Sequence, residues 1–169
     1  LSGQLNVRTQ FAPGFAKGDT TRIPVSTFGA PVYGQYSFGI GNNSWENWQV
    51  FLSPFAGKST TVFDETLREK GAFGVDTGAT WRFEAGAKIT LNYTQQLTDE
   101  FGVTAKSDLF FNYWESISAT DLNLDIIAIY KIRKALSFNA HFQLIRDIDQ
   151  IDAWQRRSVL GVGLAYTIK

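Results

Sequence analysis

The sequence predicts an all-β fold, an antiparallel up-and-down transmembrane β-barrel of about eight strands. Three observations lead to this prediction: one long strand has an apolar side and an ionic side, the same alternation recurs along the chain, and short connections alternate with long ones. Residues 1–169 are expected to form a single outer-membrane domain, because the length is that of one domain and the chain contains no cysteine.

The long strand covers residues 81–93. One side carries only apolar and aromatic residues, whereas the other carries polar ones that include Arg82, Glu84 and Lys88. Trp81 and Tyr93 stand at the two ends of the apolar side. The steps between them, at about 3.3 Å each and tilted by about 40°, span roughly 30 Å. Outer-membrane barrels have an apolar band of about 25 Å between aromatic girdles, so we expect this strand to cross a membrane.

The same alternation predicts seven further strands. They cover residues 4–11, 35–41, 48–63, 103–113, 122–131, 136–144 and 157–168. Pro54 and Gly57 predict a bend or bulge within the third strand. The turn-forming residues 41–44 are expected to end the second strand. Residues 65–70 are expected to form at most one helical turn within a loop.

The lengths of the connections predict the orientation. Short turns are expected near residues 43, 99 and 134, and longer loops near 20, 70, 117 and 151. Outer-membrane barrels have short periplasmic turns and long extracellular loops. Both termini, Asp99 and Lys134 should therefore be periplasmic, with loops 64–78 and 147–155 outside the cell. The predicted aromatic girdles are Trp48, Tyr93, Tyr130 and Tyr166 at the short-turn end, and Trp81 and Tyr113 at the long-loop end.

A polar network is expected on the side opposite the apolar one, inside the barrel. Its members are Arg82, Glu84, Lys88, Lys106, Asp108, Asp125, Lys131, His141 and Arg157. Isolated charges would be costly in a narrow lumen, so they should pair between strands. We expect Arg82 or Lys88 to pair with a carboxylate of the fifth strand, and Asp125 with Lys106 or Lys131. A structural plug is the first interpretation, and a selective pore lining is the alternative.

Neither catalysis nor a cofactor is predicted. His141 is the only histidine and has no neighbouring serine in a catalytic spacing. The lack of cysteine and of calcium-loop spacing predicts no metal site. A net charge of zero without a basic block argues against nucleic acid as a partner.

Four segments also carry a family resemblance. Residues 9–15, 52–58, 71–75 and 108–113 resemble blocks of an uncharacterised family of outer-membrane β-barrel proteins of the Bacteroidota, and the Ser-Pro-x-x-Gly-Lys and Gly-Ala-Phe-Gly-Val blocks are the most specific. The resemblance implies a bacterial outer-membrane location and supplies no activity. Members of that family have further strands upstream, which implies that this chain corresponds to the C-terminal part of a longer barrel. The chain also ends at Ile168–Lys169 without the terminal aromatic residue common in outer-membrane barrels.

These observations lead to one functional expectation and three alternatives. We expect a structural or accessory partner subunit of an outer-membrane assembly, which contacts membrane lipid or lipopolysaccharide and other outer-membrane or periplasmic proteins. The alternatives are a small porin-like channel or transporter, a lipid-modifying enzyme, and a soluble lipocalin-like carrier with its apolar side inward. A closed eight-stranded barrel requires residues 5–11 to pair with residues 160–168, whereas the resemblance places these strands apart.

Overall fold

The computed structural model describes residues 1–16, 23–133, 135–148 and 151–164, and their fold is all-β. Lys134 and Tyr166, on which two of the predictions fall, lie outside the described residues. The strands are β1 (Ser2–Thr9), β2 (Gly14–Phe15), β3 (Pro24–Ser26), β4 (Val32–Trp45), β5 (Trp48–Thr61), β6 (Trp81–Gln96), β7 (Phe101–Asn112), β8 (Asp121–Arg133), β9 (Leu136–Asp147) and β10 (Ile151–Leu164).

Eight of these strands form one antiparallel sheet. Its order is β1-β4-β5-β6-β7-β8-β9-β10, so each strand pairs with the next long strand of the chain. The short strands β2 and β3 form a separate two-stranded sheet within the loop between β1 and β4. This up-and-down order agrees with the predicted succession of strands, because antiparallel neighbours can be joined by short connections.

Burial alternates along the strands, as the sequence pattern predicts. On β6, Glu84 is only 6% exposed and Thr90 is also buried, whereas Trp81 and Phe83, on the opposite side of the strand, are exposed. We call the side of the sheet that carries Glu84 the inner face and the opposite side the outer face. The polar side of the long strand is therefore its buried side.

The predicted bulge is present in β5. The pairing of β5 with β6 shifts between Ser53 and Ala56, on either side of Pro54. The hydroxyl of the buried Ser53 donates hydrogen bonds to the carbonyl oxygens of Phe38, at 2.8 Å, and Phe55, at 2.9 Å. These bonds satisfy acceptors beside the irregularity. Because a bulge adds a residue, inner positions of β5 are odd-numbered before it and even-numbered after it.

Two predicted connections are wrong. β4 continues to Trp45, so the chain turns at residues 46–47 rather than 41–44, with Asn47 at a φ of 68° that asparagine tolerates well. The predicted loop 147–155 is also too long, because β10 begins at Ile151. In β4, polar residues extend the hairpin ladder, because backbone pairing needs no apolar side chains. In β10, the ladder begins at Ile151 and shifts register before Gln155, and this irregularity hides the strand from a period-2 pattern.

The loop between β5 and β6 packs against the long-loop end of the sheet. It contains the predicted helical turn as α1, Glu65–Glu69, which begins where the Asp64 side chain accepts a hydrogen bond from the backbone N–H of Leu67 at 3.0 Å. Apolar side chains from this loop and the preceding segments form a buried group, which we call the loop cluster: Ala30, Val62, Leu67 and Val75. This end of the sheet is therefore covered by an ordered cap.

β1 and β10 are the edges of the sheet. In the part of the chain that the structure describes, β1 pairs only with β4 and β10 pairs only with β9. The ladder expected between residues 5–11 and 160–168 is not found among these residues. The sheet is curled nonetheless, since Asn6 of β1 and Gln155 of β10 line the same cavity.

Candidate functional site: the polar inner face

The inner face encloses a polar cavity of about 340 Å³. Every strand of the large sheet contributes to its lining, which includes side chains of both edge strands. A cavity bordered by all these strands can form only on the concave side of a curled sheet. The inner face is therefore concave, and its lining is rich in charged and amide side chains.

The outer face has the opposite character. Its exposed side chains are large and apolar, and they include Leu5, Val7, Phe38, Ile40, Leu52, Phe55, Phe83, Leu160, Val162 and Leu164. Phe55, midway along β5, is 72% exposed. Beside it lies an apolar groove that is closed on one side by Tyr113, whose hydroxyl donates a hydrogen bond to the carbonyl of Pro54.

The predicted girdle residues lie near the two ends of the strands. At the short-turn end, Trp48 is paired with Tyr93, with ring centroids 4.7 Å apart, and Tyr130 packs near Phe101 with centroids 6.4 Å apart. At the other end, Trp81 begins β6 and Tyr113 follows the last residue of β7; both are exposed. Large exposed aromatic rings thus lie at two levels of the outer face, one at the short-turn end of the strands and one at the long-loop end.

Arg82 and Glu84 form the first polar group of the inner face, close to the loop cap. The Arg82 guanidinium lies 3.3 Å from Glu84 Oε1 and 3.4 Å from Glu115 Oε1, and it donates to the Gly74 carbonyl at 3.2 Å. Glu84 also accepts a hydrogen bond from Asn112 Nδ2 at 3.0 Å. This group joins the inner face to the cap, because Gly74 and Glu115 belong to the long loops.

Lys58 and Asp121 form a second ion pair that the sequence analysis did not predict. Lys58 Nζ also lies 4.7 Å from the ring centroid of the buried Phe110, in a cation–π arrangement. The bulge in β5 explains why Lys58 was missed, since it places the even-numbered Lys58 on the inner face together with the odd-numbered Ser53. If the predicted bulge had been used to reassign which residues of the strand face inward, Lys58 would have been predicted on the inner face.

Asp108 receives two ammonium groups. Lys88 Nζ lies 3.4 Å from Oδ1 and Lys106 Nζ lies 3.3 Å from Oδ2, while the Thr90 hydroxyl donates to Oδ1 at 2.6 Å. The predicted pairing of Lys88 with a carboxylate of the next strand is therefore confirmed. One carboxylate charge here faces two cationic charges.

Asp125 has a different partner from the one expected. Its Oδ1 lies 2.8 Å from His141 Nε2, and Gln143 Nε2 donates to its Oδ2 at 3.4 Å. Lys106 stands directly opposite Asp125 in the ladder, but its ammonium reaches Asp108 on its own strand instead. The predicted pairing of Asp125 with a lysine is thus wrong. The strand register places Lys131 of β8 and Arg157 of β10 on the inner side of the sheet, and both residues are exposed.

No group of three or more His, Cys, Asp and Glu side chains is placed to hold a metal ion in the described residues. No helix in the described ranges is long and apolar enough to span a membrane.

Comparisons with protein-family models, with curated proteins and with solved structures find no match for this chain. The resemblance to the Bacteroidota family therefore stays a prediction from the four sequence blocks.

Proposed function

We propose that this chain is an integral outer-membrane protein whose sheet forms the wall of a β-barrel, and that it acts as a structural or accessory subunit without catalysis. The observation that carries the proposal is the inverted distribution of side chains. The concave side holds ion pairs, and the convex side exposes aliphatic and aromatic residues between two levels of large rings. A hydrocarbon environment favours this arrangement, whereas water does not.

The size of the apolar surface supports contact with lipid. Soluble monomers rarely expose large contiguous apolar patches. Transfer of an exposed phenylalanine such as Phe55 from water to an apolar environment lowers the free energy of the protein. A soluble lipocalin-like carrier requires the reverse arrangement, with apolar side chains lining the cavity. The charged and amide lining of this cavity argues against that alternative.

The subunit role follows from the two edge strands. Backbone N–H and C=O groups must be satisfied within the bilayer, and a free strand edge would leave them unpaired. Val7 on β1 and Val162 on β10 point from these edges to the outer side and are both exposed. A neighbouring β-structure beside either edge would complete the hydrogen bonding and cover these side chains.

Lipid contact is tested by reconstitution into vesicles that contain brominated phospholipid. The expected result is flotation with the vesicles and quenching of tryptophan fluorescence by lipid brominated near the headgroup end of its acyl chains, because Trp48 and Trp81 are expected at the two interfaces. A protein that stays monomeric in detergent-free buffer, with unquenched tryptophan, contradicts the membrane location.

The subunit role needs a separate test. Because the sequence contains no cysteine, Val7→Cys or Val162→Cys provides a unique attachment point for a crosslinker in native membranes. We expect a covalent adduct with another membrane protein from the edge positions, and none from Ile89→Cys at the centre of the sheet. Equal yields from all three positions contradict a partner at the edge.

A small channel is the second candidate function, because the cavity is polar and its charges are typical of pore linings. Single-channel recording in planar bilayers distinguishes the two roles. Discrete conductance steps support the channel, and a silent bilayer with correctly inserted protein supports the structural subunit.

A further inference from the structure

The charged side chains that line the cavity on the inner face comprise four cations, Arg8, Lys58, Lys88 and Lys106, and three anions, Asp108, Asp121 and Asp147, so one cationic charge is in excess. Asp125, which is not part of the lining, is held by His141 and Gln143. Asp108 is shared by Lys88 and Lys106, and it also accepts a hydrogen bond from Thr90. Lys58 is matched by Asp121. Of these lysines, Lys106 has the most exposed side chain, at 53%, so its ammonium is the most available for a further ligand.

Amide side chains line the same cavity as Lys106. Asn123 stands opposite Asp108 in the ladder, and Gln143 stands opposite Asp125; both line the same cavity. Gln143 Nε2 lies 3.5 Å from Asn123 Oδ1 and 3.4 Å from Asp125 Oδ2, at the long limit of hydrogen bonding. These amides are therefore held weakly, and their N–H groups could turn towards a ligand at little cost.

We propose that the cavity is a binding site for a small oxyanion, such as a phosphate group, with Lys106 as the principal cation and the amides of Asn123 and Gln143 as additional donors. The volume of about 340 Å³ lies within the range of small-ligand pockets. A second cation on a single carboxylate becomes favourable when an anion completes the charge balance. This site goes beyond the proposed membrane role and stands whether or not the outer face meets lipid.

The charge balance predicts which substitution abolishes binding. Lys106→Gln leaves Lys88 and Asp108 as a neutral pair and removes the ammonium, so the affinity for phosphate should fall about tenfold or more. Lys106→Arg keeps the charge and should retain most of the affinity. Lys131→Gln is the matched control, because it removes the same charge from an exposed inner-side position of β8 that does not line the cavity.

The experiment uses the full chain in a zwitterionic detergent, with folding checked by circular dichroism. Binding of inorganic phosphate is measured by calorimetry and by the shift of the unfolding temperature relative to chloride at equal ionic strength. We expect binding by the parent, Lys131→Gln and Lys106→Arg proteins, and its loss in Lys106→Gln.

Water-soluble short-chain phosphatidate serves as a second ligand, because a lipid headgroup carries the same oxyanion. If phosphatidate binds and inorganic phosphate does not, the oxyanion that the cavity binds belongs to a lipid headgroup. If both bind, the cavity binds the free ion. The proposal is overturned if neither ligand binds, or if Lys131→Gln weakens binding as much as Lys106→Gln does.

Discussion

Replacing Phe55 with arginine tests whether the outer face lies in lipid. Phe55 is 72% exposed and is paired with Phe38 on β4. The bulge around it faces residues 86–88 of β6, halfway between the rings of Trp81 and Tyr93. If those rings mark the two interfaces, Phe55 lies close to the middle of the bilayer.

The expected magnitude follows from that depth. Arginine on the lipid face of a barrel costs about 2–4 kcal/mol near the midplane. The equilibrium constant for folding should therefore fall about 30-fold to about 700-fold, since each 1.4 kcal/mol corresponds to a factor of ten. The same substitution on a surface that faces water should change the free energy of unfolding by about 0.5 kcal/mol or less.

The assay is equilibrium unfolding in guanidinium chloride with the protein reconstituted in phospholipid vesicles. Ile117→Arg is the control, because Ile117 is 85% exposed in the loop between β7 and β8, beyond the level of the rings. We expect a large loss for Phe55→Arg and almost none for Ile117→Arg. If the two variants unfold with the same free energy as the parent, the outer face is not in contact with lipid and the argument fails.

Three further outcomes are expected. Gly39→Ala should destabilise the protein strongly, because the added Cβ would clash with the backbone of β5, whereas Gly161→Ala should have little effect because nothing lies within 4 Å of its Cβ; both are checked by thermal unfolding. Glu84→Gln should cost about 1–3 kcal/mol in denaturant unfolding, since it removes a buried charge that is hydrogen-bonded and ion-paired. Protease added to intact cells should cleave within loop 64–78 and spare the turn at residues 98–100, and cleavage at that turn without permeabilisation would reverse the orientation.

The period-2 pattern was sufficient to predict the eight long strands and, where no bulge interrupts them, which residues share a face. Side chains in a strand alternate strictly, so the apolar and polar sides of β6 could be assigned before any pairing was known. The bulge at Pro54 was also predictable from local sequence, because proline has no N–H group to donate to a ladder. These features depend on residues that are neighbours in sequence.

Features that depend on register were less accessible. The Asp125–His141 pair required knowledge of which side chains reach across β8 and β9, whereas opposite charge alone favoured Lys106 or Lys131. Lys58 was missed because its face is set by the extra residue at the bulge. The end of β4 was misplaced because polar residues can extend a hairpin as readily as they form a loop, and the start of β10 because its ladder shifts register between Ile151 and Gln155. The curl of the sheet depends on cumulative twist, which no single residue reports.

The location of the buried apolar side chains affects how stability should vary with temperature. In the described part of the chain, the buried apolar residues outside the loop cluster are only Phe51, Ala56 and Phe110. The heat capacity of unfolding arises from apolar surface that becomes exposed to water, and typical globular proteins gain about 12–15 cal/mol/K per residue. A sheet that keeps its apolar side outward has little such surface to expose if lipid covers that side in both states. Its heat-capacity change should fall well below the globular value, and the free energy of unfolding should follow a flatter curve between cold and heat.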